Sequence, residues 1–534
     1  MSYENIAFAC LTKHTQSAEN TDSRVCWLKP DLSEETLSYR AFEESSNRLA
    51  QVLQELGVNT GDVVCVYLPR SLDLVNAFFA IQKNLAVSCI LFSTLGEEAI
   101  YDRMENCRAK LLITKKSLLK KVLTIRAQLP DLRHILLVDG DKDDADDILS
   151  LPTRMAEAPA EFDYPHFVDP ETPSFLQYTS GSTGKPKGAL HVHGALADML
   201  SSFAEVMQPE EQDIYWCTAD PAWITGLVYG IIVPFATGIR QVQFEGTYRA
   251  DRWLALLAQQ QVSLWYTAPT ALRMLMQEEI DWAVVDLPAL KRIYSVGEPL
   301  NPEIYTWGKR AFRREIYDTW FQSETGCIMV ANRPGLPVKP GSMAVPRAGV
   351  EVVITDEAMQ PLPAGEQGHL CLRKGWGSMF RTYYRREDAY QSKFRGELYV
   401  TGDVAYKDAD GYVWYVSRSD DVINTAGHLV GPFEVESALL EIPEIVDVAV
   451  IGAADPILHE KIVAYLTLRK GVEWSRELEL KCRVHVANAV STSAIPAEYH
   501  LIAKVPKNQS GKILRRVLKA MYEGKDPGDL STME

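Results

Sequence analysis

A chain of 534 residues is too long for one ordinary folding unit, and 46% hydrophobic with 24% charged residues is the balance of a globular protein. A net charge of −16 argues against nucleic acid or an acidic membrane as the main partner, but leaves room for anionic small molecules met by basic residues inside a site. Nine cysteines without a Cys-x-x-Cys spacing point to reduced thiols rather than a disulfide framework or a zinc site.

The first residues, Met1-Ser-Tyr-Glu-Asn, lack the basic start and apolar core of a signal peptide, so a cytoplasmic protein is expected. Residues 38–56 read as an amphipathic helix through Phe42, Leu49, Val52 and Leu53. A buried strand over 62–68, a helix over 71–83 and a strand over 86–92 imply a parallel α/β layer, which 110–114 and 134–138 continue. The run from Asp139 to Asp147 holds six aspartates but lacks the glycine and closing glutamate of a calcium loop, so it reads as a solvated acidic loop. Pro221 to Ile239 carries no charge, yet its prolines and glycines favour a buried strand–helix segment over a membrane span.

Seven of the ten residues from Thr179 to Gly188 are Gly, Ser or Thr, and Lys185 and Lys187 add charge. Apolar Phe175-Leu176 precede this loop, and helical spacing from His191 to Val206 follows it. The expectation is therefore a strand–loop–helix, a geometry that brings backbone N–H groups to a phosphate. The nucleotide P-loop pattern fails, because Gly184-Lys185 is followed by Pro186. Three further stretches read as strands ending in polar turns, where open α/β sheets bind ligands: Ser263 to Thr270 (its helix capped near Thr267 or Thr270), Arg292 to Pro299, and Ile316 to Gly326. Beyond Gly341 come shorter β-like segments ending at Thr401-Gly-Asp403. A compact α/β region with its own core follows Arg418-Ser-Asp420.

The loop Thr179, Ser180, Gly181, Ser182, Thr183, Gly184, followed by Lys187, resembles the signature of the adenylate-forming superfamily, and the short bacterial type of AMP-forming acetyl-CoA synthetase in particular. The resemblance runs from about residue 40 to Glu534, with the later motifs in order. It implies an α/β fold with a large domain of layered subdomains over 1–419 and a smaller, mobile α/β domain over 420–534. It also implies ATP, CoA and Mg²⁺ as reactants and cofactor, and a small carboxylate as partner. The loop would hold the β- and γ-phosphates. Gly297, Glu298, Pro299, Asp318, Thr319 and Trp320 resemble adenine-contacting segments. Gln322 and Ser323 (Thr in most relatives) lie before Glu324, which resembles the Mg²⁺ ligand. Asp403 and Arg418 match the ribose and phosphate contacts, Asp420 the hinge, and Ala426 and Gly427 the backbone beside the pantetheine arm. Lys512 matches the lysine bridging carboxylate and α-phosphate.

Two departures stand out. Leu429 occupies a position usually held by arginine, and Asn508-Gln509 stand where Thr-Arg is common. Ile224, Thr225, Val296 and Phe321 match the acyl pocket. Bulky Phe321 should close it early, favouring acetate with modest discrimination against one more methylene. A ligase for propionate or a larger or cyclic acid, and a nucleotide-binding regulator without turnover, are the alternatives.

Overall fold

The computed structural model describes residues 3–16, 25–143, 145–179, 185–425, 428–508, 512–527 and 533. Among them the strands form sheets of eight, fourteen and five members and a two-stranded pair.

The first expected layer is present. Strands Val63–Tyr67, Val87–Leu91, Leu111–Thr114 and His134–Leu137 pair in parallel, and Pro173–Thr179 joins Val87–Leu91 in the same sense. Their near-continuous Val, Leu and Ile runs are those of strands covered on both faces. The covering helices Tyr39–Glu55 and Leu72–Lys83 start at Ser38 and Ser71, whose side-chain oxygens accept from Ala41 N and Leu74 N. Each cap is worth about 1 kcal/mol.

The fourteen-stranded sheet changes character along its length. Arg240–Phe244, Ile214–Cys217, Leu264–Thr267, Arg292–Ser295 and Ile316–Trp320 run in parallel, with Thr267, Ser295 and Asp318 in register at their C-terminal ends. From Val330–Ala331 onward, through Ser342–Pro346, Val413–Arg418, Leu398–Lys407 and Gly368–Arg373, pairing is antiparallel. The change falls at Trp320, so side chains from both halves of the sheet meet at one place. Asp403 stands within a continuous strand to Lys407, not at its end as expected.

The five-stranded sheet stands on its own core. Ile445–Asp455 pairs antiparallel with His459–Leu468 along their lengths, and the helices Pro432–Leu440, Arg476–Ala489 and Arg515–Glu523 accompany them. It meets the rest of the chain through polar contacts, with Asn301 Nδ2 donating to Ser437 Oγ (2.8 Å) and Gln277 Nε2 to Val446 O (2.8 Å), and through Phe433, edge-on to Tyr415.

Four expectations need correcting. The chain after the small-residue loop is a strand, Lys187–Val192, and the helix begins only at Leu196. The Pro269–Gln277 helix has Ala268 at its N-cap position, because Thr267 accepts from Thr218 (2.9 Å) and Thr270 is spent on Glu298. The acidic run is not merely solvated, since Asp141, Asp143 and Asp147 pair with Lys116, Arg154 and Arg126. The cysteines, all free, are less scattered in space than in sequence: Cys65, Cys89 and Cys107 have their sulfurs within 4.8 Å of one another in the core of the first sheet. The uncharged stretch from 221 is a buried helical segment, Ile224–Leu227 through Val233–Thr237, leading into Arg240–Phe244. No described helix is long and apolar enough to cross a membrane.

Candidate active site

Pro173–Thr179 and Lys187–Val192 form an antiparallel hairpin with Thr179 opposite Lys187 and Tyr178 opposite Gly188. Glycine suits position 188, since a Cβ there would crowd the Tyr178 ring at 3.0 Å. The Tyr178 hydroxyl donates to Arg103 O and Asn106 Oδ1 of the Glu97–Cys107 helix. Asp102 of that helix also pairs with Lys185 at 2.9 Å, so the base of the hairpin is tied to it twice. Residues Ser180, Gly181, Ser182, Thr183 and Gly184 at the hairpin tip lie outside the described set.

Below the hairpin, His191 Nε2 lies 2.8 Å from Ser323 O. Burial holds this imidazole neutral, its pKa pushed down to about 4. It fixes the turn of Gln322, Ser323 and Glu324 against the strand. The Glu324 carboxylate accepts from the Tyr383 hydroxyl at 2.5 Å, and Lys187 Nζ sits 5.5 Å from the centre of the Tyr383 ring.

Asp403 gathers the most contacts. Gln322 Nε2 (2.9 Å) and Trp320 Nε1 (3.3 Å) donate to Oδ2, and Arg418, its cross-strand partner, donates to Oδ1 at 3.2 Å. Tyr399 donates to Gln322 Oε1 at 2.9 Å and so orients that amide. Asp403 raises the Arg418 pKa above the ordinary arginine value, so the guanidinium is permanently charged. Arg418 Nε also reaches Asp420 at 3.7 Å, in an exposed turn at the end of the strand.

The adenine-side segments follow the parallel strands. Gly297 takes φ +92° with open space where a Cβ would stand, while Glu298 accepts from Thr270 Oγ1 at 2.6 Å, beside half-buried Pro299. Thr319 is turned into the core, donating to Ser295 O (2.7 Å) and bonded to the Tyr266 hydroxyl. Asp318 is buried, and among the described residues its Oδ1 has no hydrogen-bond partner. Burial raises its pKa to about 8. Ile224, Thr225 and Val296 are buried, Ile224 and Val296 in the main core, and half-buried Phe321 packs against that core. Phe321 stands edge-on to Tyr229 with ring centres 5.5 Å apart, and Tyr229 is itself held by Ser202 (2.7 Å) and the Ile328 amide (2.8 Å).

Lys512 comes from the five-stranded unit. Asn508 closes its turn, donating from its amide to Lys512 O and accepting the Lys512 amide on Oδ1, both at 2.9 Å. Asn508 thus has a structural task at a position where the sequence departs from its relatives. Lys512 as a whole is exposed, but its ammonium lies among charges of both units. Loss of water and then Arg418 lower its pKa, against the pull of Asp403, Asp421 and Asp420. Neighbouring Arg515 is not loose surface charge, since it pairs with Glu436 at 2.5 Å and reaches Asp421 at 3.8 Å. Ala426, Gly427 and the side chain of Leu429 lie outside the described residues.

This arrangement of a small-residue hairpin, a carboxylate–guanidinium pair and an incoming lysine has known counterparts. The AMP-binding enzyme family profile matches residues 14–384, and its C-terminal domain profile matches 434–512. The chain belongs to the AMP-binding enzyme family. It is 40% identical over 99% of its length to an acetyl-coenzyme A synthetase of Bacillus subtilis, of which it covers 92%, and 35% identical to one of Chlorobaculum tepidum (99% and 84% covered). Among solved structures, an anthranilate CoA ligase in complex with anthranoyl-AMP superposes with TM-score 0.89 at 27% identity, over 98% of each chain.

In this AMP-binding enzyme the sequence motifs supplied candidate site residues, but not the residues that orient them. His191, Tyr383 and Tyr399 act through Ser323, Glu324 and Gln322 across 132, 59 and 77 residues of chain. Nothing in their local sequence marks them. Tyr229, the second wall beside Phe321, sits in an uncharged run that reads only as buried.

Proposed function

We propose that this AMP-binding enzyme is an AMP-forming short-chain acyl-CoA synthetase acting on acetate in the cytoplasm, with domains 1–419 and 420–534 hinged at Asp420. The observation that carries the reading is the pairing of Asp403 with Arg418 beside Glu324, faced by Lys512 from a separate unit of the chain. The names and full-length similarity of its curated relatives support the choice of acid.

A carboxylate lacks a leaving group that a thiol can displace. In the first step an acetate oxygen attacks the α-phosphorus of ATP and pyrophosphate leaves. In the second the CoA thiol attacks the acyl carbon and AMP leaves. The hairpin from Thr179 to Lys187 would hold the β- and γ-phosphates. Gly297, Glu298, Pro299, Asp318, Thr319 and Trp320 would border the adenine, and Asp403, oriented by Gln322, would accept from the ribose hydroxyls. Charge builds on the α-phosphate oxygens as the oxygen attacks, and Arg418, Ser323 and Lys512 are the donors that meet it. Glu324 offers hard carboxylate oxygens, already oriented by Tyr383, and so fits Mg²⁺. The ion would offset phosphate charge there.

Ile224, Thr225, Val296 and Phe321 would bound the acyl group. The Tyr229 ring supports Phe321 from behind and leaves no flexible wall for a long chain. For the second step Lys512 must withdraw, and Ala426 and Gly427 would then border the pantetheine arm. A rotation of the small domain about Asp420 accomplishes both.

The test is carboxylate-dependent ATP–pyrophosphate exchange over formate, acetate, propionate, butyrate and benzoate, followed by CoA-dependent AMP release. Highest kcat/KM with acetate is expected. Exchange with no acid would leave a nucleotide binder, and a preference for benzoate or butyrate would move the protein to the larger-acid ligases.

A further inference from the structure

Beside the Asp403–Arg418 pair lies a second cation that the mechanism above does not use. Lys393 sits between the helix Glu387–Gln391 and the strand Phe394–Arg395, and its backbone is pinned on both sides. Its amide donates to Tyr390 O at 3.0 Å, and its carbonyl accepts from Val400 N at 2.8 Å. The side chain is half-buried and runs inward, with Nζ 6.0 Å from the centre of the Tyr399 ring. Glu324, Arg418, Asp403 and Lys187 are the charges that act on it, so it stands between the hairpin side of the site and the ribose side. Among the described residues its ammonium has neither a hydrogen-bond acceptor nor an ion-pair partner. Withdrawing an ammonium from water without a partner is costly, and here burial lowers its pKa from the ordinary lysine value.

Gly402 explains what the space is for. It adopts φ +82°, and a Cβ built on it would stand 3.4 Å from Arg418 Nη2 and 3.8 Å from Lys393 Nζ. The two cations thus border one notch beside Gly402, a guanidinium on one side and an ammonium on the other. Like charges held across an open notch repel until an anion enters. No carboxylate of the described chain fills it: Asp403 is turned to Arg418, Gln322 and Trp320, and Glu324 to Tyr383.

We propose that Lys393 is a phosphate-facing cation of this site, which together with Arg418 binds a nucleotide phosphate oxygen in the notch over Gly402. This rests on the reading that the site takes ATP. It also supplies positive charge in a chain that has leucine, not arginine, at position 429.

The experiment compares wild type, Lys393→Met and Lys393→Arg by calorimetric titration with ATP, AMP and adenosine, without any acid. Methionine keeps the length of the stem and removes the charge. Lys393→Met should bind ATP on the order of 10- to 100-fold more weakly, as expected for loss of a charge-assisted contact, with adenosine affinity unchanged. Lys393→Arg should stay within about threefold of wild type, since the charge is kept. A loss shared by AMP assigns the contact to the α-phosphate, and one confined to ATP assigns it to the outer phosphates. The ligand-free thermal midpoint of Lys393→Met should be unchanged or raised, because an unpaired buried charge is gone.

Wild-type ATP affinity in Lys393→Met overturns the proposal. So does an equal loss of adenosine and ATP accompanied by a lowered midpoint, which would make Lys393 a structural residue. If wild type binds ATP but catalyses no acid-dependent exchange, the ligase reading fails, and the ATP-to-adenosine ratio of Lys393→Met still decides the role of Lys393.

Discussion

Asp403 and Lys512 come from different units, interact through their charges and are held in opposite ways. Asp403 lies within a strand paired on both sides, and its carboxylate takes hydrogen bonds from three side chains that come from two halves of the great sheet. Lys512 rides on a short turn closed by Asn508, and its ammonium touches no acceptor among the described residues. It is drawn to Asp403, Asp420 and Asp421 only through longer-range attraction. Under the proposed two-step reading, Asp403 stays in place and is over-determined, while Lys512 enters and leaves without contacts that would have to break. The two units keep separate apolar cores, and their interface combines polar contacts such as Asn301–Ser437 with the ring pair Tyr415–Phe433.

The largest effect should come from removing the mobile member. Lys512→Ala is expected to slow pyrophosphate exchange about 10²–10³-fold, the usual cost of one transition-state donor. Thioester formation from acetyl-adenylate supplied ready-made should stay near wild type. Equal losses in both half-reactions would make Lys512 a fixed part of the site and dissolve the contrast.

Removing the fixed member should act on binding. Asp403→Ala leaves Arg418 without its partner and Gln322 without its acceptor. ATP affinity should fall by roughly 1.5–3 kcal/mol, with the thermal midpoint lowered as well. Unaltered ATP binding would mean that the ribose lies elsewhere.

The acyl wall is the next test. Phe321→Gly takes away the ring that Tyr229 supports, and each methylene newly admitted is worth about 1–3 kcal/mol. The order of kcat/KM among acetate, butyrate and hexanoate should invert. An unchanged order would show that Phe321 does not end the pocket.

The last effect concerns stability, and it is the smallest when taken per pH unit. Buried Asp318 keeps its proton up to about pH 8, whereas the unfolded chain releases it near 3.8. Between those values the unfolded state binds fewer protons than the folded one, so stability falls as pH rises through the window and levels off above it. Asp318→Asn does not titrate. Its thermal midpoint should therefore gain on wild type steadily from pH 5 to 8, by up to about 1.4 kcal/mol per pH unit. A gap that stays constant with pH would mean that Asp318 is ionised throughout.

Much of this molecule could be read along the chain. The parallel layer over 62–138, the helix starts at Ser38 and Ser71, and the polar strand ends at Ser295 and Asp318 follow from apolar runs, caps and spacing, which are local properties. Glu324, Asp403, Arg418 and Lys512 also stand out along the chain, because each sits in a short motif, and the structure brings their charges near one another. The tertiary structure alone decided the rest. A six-residue run from Lys187 became a strand because sheet edges on both sides were open to it, a preference that helical spacing further on obscured. Asp403 became the centre of the site because the sheet switches from parallel to antiparallel at Trp320 and folds Gln322 onto a strand some eighty residues later. Likewise, Lys393 reads as one lysine among many until Gly402 and Arg418 are seen beside it. Local sequence sets what each segment can form, but which charges share a low-dielectric space depends on contacts between segments far apart in the chain.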